Sequence, residues 1–390
     1  MIHRNFLCTA CLAALLTAGC HQPLKQGKSS ANSYHSVYDD STLNQTKLPV
    51  LMPYNRIIDP AGSVITWGDP GTENHSLDVA LIPGTDLLAV EDRYGIMLLN
   101  AKTEKIEARW SYNEDAHLKK LMSTFSGLQV FSYNGETRIL WSAANGGSHE
   151  SYVLQAVWDG KQLGLKNAIP FKPESPSPLA LPNALAIMVT QGTPYLYVVL
   201  NGNNRLVKLN LETRQVIWSK PTGVAPYGVA LAGNKIYVSN WGGPQPSAGT
   251  TRETAGVPYG SAYIDPATGA INKGTVSVFN ADEGALVTEI NVGLHPNAMV
   301  TSPDNRFLYV ANANSDNVSC IDTRTDRVTE VIPVKLNAGT GGFIGDSPNG
   351  LALSNDGRTL YVANGLDNAV AVVALGNKSI LMGFIPTEAY

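Results

Sequence analysis

Five residues with oxygen-bearing side chains recur near the start of short apolar runs: Asp78, Asn183, Tyr227, Asn297 and Asn349. Gathered at one point, their carboxylate, amide and phenol oxygens could hold a hard divalent cation such as Ca²⁺, which favours several neutral and anionic oxygen ligands, or a polar ligand. The same Pro-Asn steps read equally well as turn chemistry, with each Asn bonding its own backbone. His75 and His295 precede two of these runs and could face the same point, although two histidines without a third ligand do not define a metal site. Catalysis there would need a carboxylate ligand and a general base, for which Asp78, Glu91 and Asp92 are the early acids available. His149 reads as a loop histidine bonded to backbone. Trp241, Tyr259 and Tyr263 stand among Gly, Pro and Thr in an insertion at about 241–273, which reads as either a binding surface or a lid. No complete catalytic constellation is present.

The elements that position these residues follow from an internal repeat. The last unit runs from Pro348-Asn-Gly-Leu through Leu360-Tyr-Val-Ala-Asn364 and Ala369-Val-Ala-Val-Val to Ile380-Leu-Met-Gly-Phe-Ile385. The preceding unit repeats that order from Pro296-Asn-Ala-Met through Leu308-Tyr-Val-Ala-Asn312 to Arg327-Val-Thr-Glu-Val. More divergent units begin at Pro226, Pro182 and Ser76, and Thr137–Ser142 with Ser151–Ala156 marks the least regular one. Each unit holds four strand patterns, and apart from one longer interval the period is close to the roughly 40 to 50 residues of a propeller blade. A four-stranded unit cannot cover both faces of its own sheet, so the units must pack face to face in a ring. The expectation is an all-β protein, a β-propeller of about six four-stranded blades over residues 48–390, or seven with one incomplete. Ser63–Gly68 is expected to supply a closing strand to the final blade.

The repeats Leu308–Asn312 and Leu360–Asn364 resemble the signature of YVTN-type β-propellers. Leu51–Gly62 and the segment opening at Ser239-Asn-Trp-Gly-Gly243 resemble the N-terminal propeller of bacterial proteins in which a phosphoesterase domain like alkaline phosphatase follows. That resemblance implies the fold. The phosphoesterase half is absent from this sequence, which suggests a split or truncated gene product. Ser347-Pro-Asn-Gly-Leu351 resembles a stretch of gluconolactonase-type propellers in which the Asn ligates a divalent metal, so the resemblance implies a metal-dependent lactonase as a competing reading.

Residues 1–20 combine Arg4, an apolar run from Phe6 to Ala18 and Thr17-Ala-Gly-Cys20, the pattern of an export signal ending in a lipobox. The run is shorter than the roughly 20 residues that span a bilayer, so Cys20 is the expected lipidation site and the membrane a partner through that lipid. Residues 21–47 are polar and read as a flexible tether, and His21 in place of Asp favours the outer membrane, periplasmic side. Cys320, in an alternating strand pattern, reads as a small buried hydrophobe.

The 390-residue chain has 44% hydrophobic and 15% charged residues, with 36 Gly and 23 Pro spread along it. That balance fits a turn-rich globular protein. A net charge of −4 without a basic cluster lacks the attraction to phosphate backbones that nucleic-acid binding needs. The expectation is a monomeric, envelope-anchored scaffold that binds a protein or small-molecule ligand, with the lactonase or the non-catalytic half of a split phosphoesterase as the alternative.

Overall fold

The computed structural model describes residues 50–52, 56–68, 75–250, 253–257, 260–336 and 345–387. The export signal with Cys20, the tether at 21–47 and Tyr259 lie outside the described residues. Six antiparallel sheets follow one another along the chain and form a β-propeller, each strand pairing with the next strand of its own blade except the two inner pieces of blade 2. Blade 1 comprises Ser76–Leu81, Leu87–Asp92, Gly95–Asn100 and Lys105–Ser111, from the inner to the outer strand. Blade 2 has an inner strand in two pieces, Met122–Ser123 and Gln129–Tyr133, both paired with Glu136–Asn145, then Glu150–Trp158 and Leu163–Pro170. Blade 3 runs through Pro182–Thr190, Thr193–Leu200, Arg205–Asn210 and Val216–Pro221. Blade 4 runs through Pro226–Ala232, Lys235–Asn240, Gly274–Asn280 and Leu286–Val292. Blade 5 comprises Pro296–Thr301, Phe307–Asn312, Asn317–Asp322 and Arg327–Pro333. Blade 6 comprises Pro348–Leu353, Thr359–Asn364, Ala369–Ala374 and Ile380–Pro386.

The described residues make six blades, as expected, and one expectation is corrected: residues 63–68 form no strand. Blade 6 already has an outer strand, because Ile380–Pro386 pairs with Ala369–Ala374. The chain before blade 1 meets that outer strand through one bond, from Ala61 N to the carbonyl of Pro386 at 3.1 Å.

Local chemistry repeats with the blades. The register slips between the third and outer strands of all six, at Leu98/Leu99, Gln155/Ala156, Lys208/Leu209, Val278/Phe279, Cys320/Ile321 and Val372/Val373. A bulge adds right-handed twist, and the same bulge in every sheet gives each the turn that radial packing needs. In the turns that follow the third strands, Asn100, Asn210 and Asn280 each accept two backbone N–H bonds.

Packing between blades uses the Tyr of the repeat. Five buried apolar clusters lie at the junctions of blades 1 and 2, 2 and 3, 3 and 4, 4 and 5, and 5 and 6. Tyr197, Tyr237 and Tyr309 face the following blade and are 0, 0 and 6% exposed. Tyr361 occupies the same place in blade 6 and is 36% exposed. On the other side, Val79 of blade 1 is 57% exposed, whereas its counterparts Leu185 and Val229 are 2 and 9% exposed against the preceding blade. No buried cluster among the described residues joins blade 6 to blade 1, so the ring has one loosely packed seam.

The asymmetry makes a prediction. The Tyr237 hydroxyl donates to Asp326 Oδ1 at 2.7 Å, beside the bond of 2.7 Å from Lys235 Nζ to Asp326 Oδ2. Tyr237→Phe is expected to cost about 1.5–3 kcal/mol, the range for a hydrogen bond to a charged group. Tyr361→Phe, which tests the same position at the seam, is expected to stay within about 0.5 kcal/mol of wild type. Urea midpoints of the two variants measure the difference.

Candidate functional site at the channel mouth

Inner strands line the central channel of a propeller, and here their first residues collect at one mouth through a repeated backbone clamp. Leu181, Ala225, His295 and Ser347, each directly before the opening proline, hold φ of 49, 50, 50 and 52°. That left-handed conformation costs a non-glycine residue roughly 1–2 kcal/mol, and a following proline disfavours helical geometry further. The clamp turns each carbonyl toward the end of the second strand, where it accepts the N–H of Asn201, Trp241, Ala313 or Gly365 at 2.9–3.1 Å. His75 does the same in blade 1, accepting from Arg93 at 3.0 Å. Backbone strain at the mouth thus fixes where each inner strand begins.

The clamp assembles an aromatic stack. Trp241, held through its N–H by Ala225, lies 6.1 Å from the Tyr227 ring and 4.7 Å from the His295 ring. Tyr227 also reaches over the mouth, its hydroxyl lying 3.4 Å from the Phe125 carbonyl of blade 2. Trp241 is 40% exposed and Phe125 is exposed, so the stack presents an apolar face to solvent. Burial lowers the His295 pKa from its ordinary value, opposed by a hydrogen bond with Asn314, which favours a neutral imidazole at pH 7. A neutral ring can both accept and donate a hydrogen bond.

The asparagines have closer partners. Asn297 Nδ2 donates to the Pro348 carbonyl of the next blade at 3.2 Å, and its Oδ1 accepts from Ala298 N at 2.7 Å. The Asn183 carbonyl accepts from Ser142 Oγ at 2.6 Å, while its own Oδ1 is buried without a partner. Asn349 and His75 line a cavity at the seam of blades 6 and 1. Asp78 stands one position beyond the asparagines: Ser76 pairs with Asp92 as Pro348 pairs with Asn364, so Leu77 is the counterpart of Asn349. Tyr263 stays within the insertion, where Thr254–Val257 pairs with Gly260–Tyr263. Its hydroxyl accepts from Ser247 N at 3.1 Å, and Lys273 Nζ lies 4.0 Å from its ring centre. His149 Nδ1 lies 2.9 Å from the Pro178 carbonyl.

Blade 1 places two carboxyl groups opposite each other. Asp78 pairs in register with Glu91, at a position occupied by Gly350 and Ala363 in blade 6. Asp78 accepts from Val79 N at 2.8 Å and, over longer distances of 3.4 and 3.5 Å, from Leu128 N and Gly127 N of blade 2. Burial raises its pKa in spite of those donors. Glu91 is fully buried with no partner for either oxygen, and its pKa is raised well above the ordinary value, first by burial and then by Asp78. Asp92 is raised by burial, opposed by backbone N–H donors and by Arg109 at 3.8 Å. Among the described residues no three His, Cys, Asp or Glu side chains form a cluster able to hold a metal ion.

Sequence reasoning singled out Tyr227, Trp241 and His295 separately but not as one stack, and it gave no weight to Phe125 or Trp67. A Trp immediately after the Asn of a second-strand motif was the available signal for placing Trp241 at the mouth.

Comparison with known proteins supports the fold class. Neither a family model nor a curated protein sequence matches the chain. Among solved structures, hydrazine synthase of Kuenenia stuttgartiensis is similar over 84% of this chain and 90% of its own, with 14% identity and a TM-score of 0.53. A functionally unknown protein from Desulfotomaculum acetoxidans covers 75% of this chain and 76% of its own at 12% identity, with a TM-score of 0.48. At such identity the likeness to the synthase speaks for fold alone. The chain is a six-bladed β-propeller.

Proposed function

We propose that the protein is an exported propeller, lipid-anchored through Cys20 in the cell envelope, that presents its channel mouth to a protein or small-molecule ligand. The observation that carries the reading is the stack of Tyr227, Trp241 and His295, three rings from three chain segments with an exposed apolar face. Aromatic side chains supply large contact area at low entropic cost, and such anchors dominate binding energy. The lipobox pattern ending at Cys20 supports the anchoring, and His21 supports the outer membrane as the destination.

Two variants test it in cells. Cys20→Ser is expected to move the protein from the membrane fraction to the soluble fraction. A photo-crosslinking residue in place of Trp241 is expected to give a discrete adduct, whereas the same residue in place of Val216, on an outer strand, gives none. Membrane retention of the Cys20 variant would overturn the anchoring, and equal adducts from both positions would overturn the mouth as the binding surface.

A second reading, a divalent cation held in the channel wall, has the facing carboxyl groups of Asp78 and Glu91 in its favour. On that reading Ca²⁺, Mg²⁺ or Zn²⁺ raises the melting temperature and Glu91→Gln abolishes the rise, because a ligand specific to the folded state stabilises it.

A further inference from the structure

The seam between blades 6 and 1 holds a cavity of about 560 Å³, open to solvent on one side, that the mouth reading does not use. Its wall combines an indole with amides and hydroxyls: Trp67 from the strap before blade 1, His75 from blade 1, and Asn349, Asn364, Asn368 and Thr387 from blade 6. Among the described residues no Asp, Glu, Lys or Arg lines it. A charged ligand would therefore be desolvated without a fixed counter-charge, which is strongly unfavourable.

Two polar groups in this wall are buried and unpartnered, and they are of opposite sense. The indole N–H of Trp67 has no acceptor, and Oδ1 of Asn364, a residue 1% exposed, has no donor, as is also so for Oδ1 of Asn240 and Asn312 at the same strand position in blades 4 and 5. The opposite end of the Asn364 amide is fully engaged, its Nδ2 donating to the Val334 carbonyl at 2.7 Å and to Asp367 Oδ2 at 3.0 Å, which fixes the orientation of the acceptor. A hydroxyl group both accepts and donates, so one hydroxyl-bearing molecule can satisfy the two. The equivalent junctions elsewhere in the ring are filled by protein side chains around Tyr197, Tyr237 and Tyr309. At the seam Tyr361 remains partly exposed, and the cavity wall mixes His, Asn, Ser and Thr side chains with Ile65, Ala363, Ala369 and Val370.

We infer that the seam cavity is a second binding site, for a neutral polyhydroxylated ligand of monosaccharide to disaccharide size. The volume lies within the roughly 300–1,000 Å³ of small-molecule sites. The indole offers an apolar surface to the C–H face of a sugar ring, while the amides and hydroxyls around it match an array of neutral hydroxyls. The strap that carries Trp67 is tied to blade 6 through Ala61 and Pro386, so the ligand touches both blades and the strap together.

The test uses the full chain, with glucose, galactose, mannose, N-acetylglucosamine and maltose as neutral probes and glucuronate and glucose 6-phosphate as charged counterparts. Binding is followed by calorimetry and by tryptophan fluorescence. At least one neutral probe is expected to bind saturably, with its charged counterpart weaker by at least about tenfold. Trp67→Phe, which retains a ring but removes the N–H, is expected to weaken binding by about three- to tenfold, the range for one neutral hydrogen bond. Trp67→Ala is expected to abolish it, and Trp241→Ala, at the mouth, to leave it unchanged. Thermal unfolding checks that each variant is folded. The inference is overturned if no neutral probe binds folded wild-type protein, if charged probes bind as well as neutral ones, or if binding survives Trp67→Ala. Loss of sugar binding in Trp241→Ala alone would likewise overturn it, by placing the sugar at the mouth.

Discussion

Replacing Glu91 by Gln raises the stability of the propeller at pH 7, and the gain shrinks as the pH falls toward 4. The carboxyl group is fully buried, has no hydrogen-bond partner and faces Asp78, so its pKa in the fold lies well above the ordinary 4.5. Below that ordinary value both folded and unfolded chains hold the proton, and burial of a neutral acid has no ionic cost. As the pH rises above it, the unfolded chain releases the proton while the folded chain retains it, so stability falls until the folded group ionises as well. Asp367 acts in the same direction: burial, followed by its hydrogen bond with Asp346, pushes its pKa up to about 7, so its share is lost between about pH 4 and pH 7. Gln keeps the shape of the protonated acid and cannot ionise. The expected gain at pH 7 is about 1–3 kcal/mol, since each pH unit over which only the unfolded chain ionises costs about 1.4 kcal/mol. Melting temperatures from pH 4 to pH 8 for wild type, Glu91→Gln and Asp367→Asn measure it. A Glu91→Gln protein less stable than wild type at pH 7 would mean that the carboxylate is ionised and paired, which is the outcome that a bound cation would give.

Trp141→Ala is expected to give the largest loss of stability, about 3–5 kcal/mol, as for other large buried aromatic residues. Trp141 is fully buried at the junction of blades 1 and 2, edge-on to Trp110 with ring centres 5.4 Å apart. Its indole N–H donates to the Tyr112 hydroxyl at 2.9 Å, and that oxygen lies 2.8 Å from Ser123 Oγ. Ser123 belongs to the first piece of the divided inner strand of blade 2, so the bond series ties that strand to the core. Trp141→Phe keeps most of the apolar contact and loses the donor, with an expected cost of about 1–2 kcal/mol beyond the lost volume. Urea unfolding of both variants separates packing from hydrogen bonding: a Trp141→Phe protein as stable as wild type would remove the hydrogen-bonded series from the account, whereas losses equal to those of Trp141→Ala would remove the packing.

Much of the fold was legible because the repeat carries its own register. Leu308–Asn312 and Leu360–Asn364 fall within second strands, and the Pro that opens each later unit begins an inner strand. Blade 2 was the hardest to read because its inner strand is divided and has no Pro-Asn step. Residues 63–68 alternate like a strand yet form none, because Ile380–Ile385, the fourth strand pattern of the last unit, already serves as that blade's outer strand. The mouth was less legible. Asp78 looked like a member of the Asn series, but cross-strand register decides the series, and register places Leu77 there. The left-handed residues before the prolines run against local preference, and only the clamp to the second strand explains them. Trp241 and His295 come into contact through tertiary packing, which spacing does not encode.

The loosely packed junction between the last blade and the first also changes how the molecule holds together in time. A hoop with equal joints has no starting point for unravelling, since any blade that loosens is held from both sides. With buried apolar clusters at five joints and none among the described residues at the sixth, the propeller approaches a row of nearest-neighbour units with two termini. Fraying then begins at blades 1 and 6 and travels inward, and the innermost units of the row, blades 3 and 4, are the last to open. The stack of Tyr227 and Trp241 belongs to blade 4, with His295 on its border with blade 5, so the mouth surface sits on the part of the row that is most slowly lost. A ligand wedged at the seam would join the two termini and restore the cooperativity of a closed hoop.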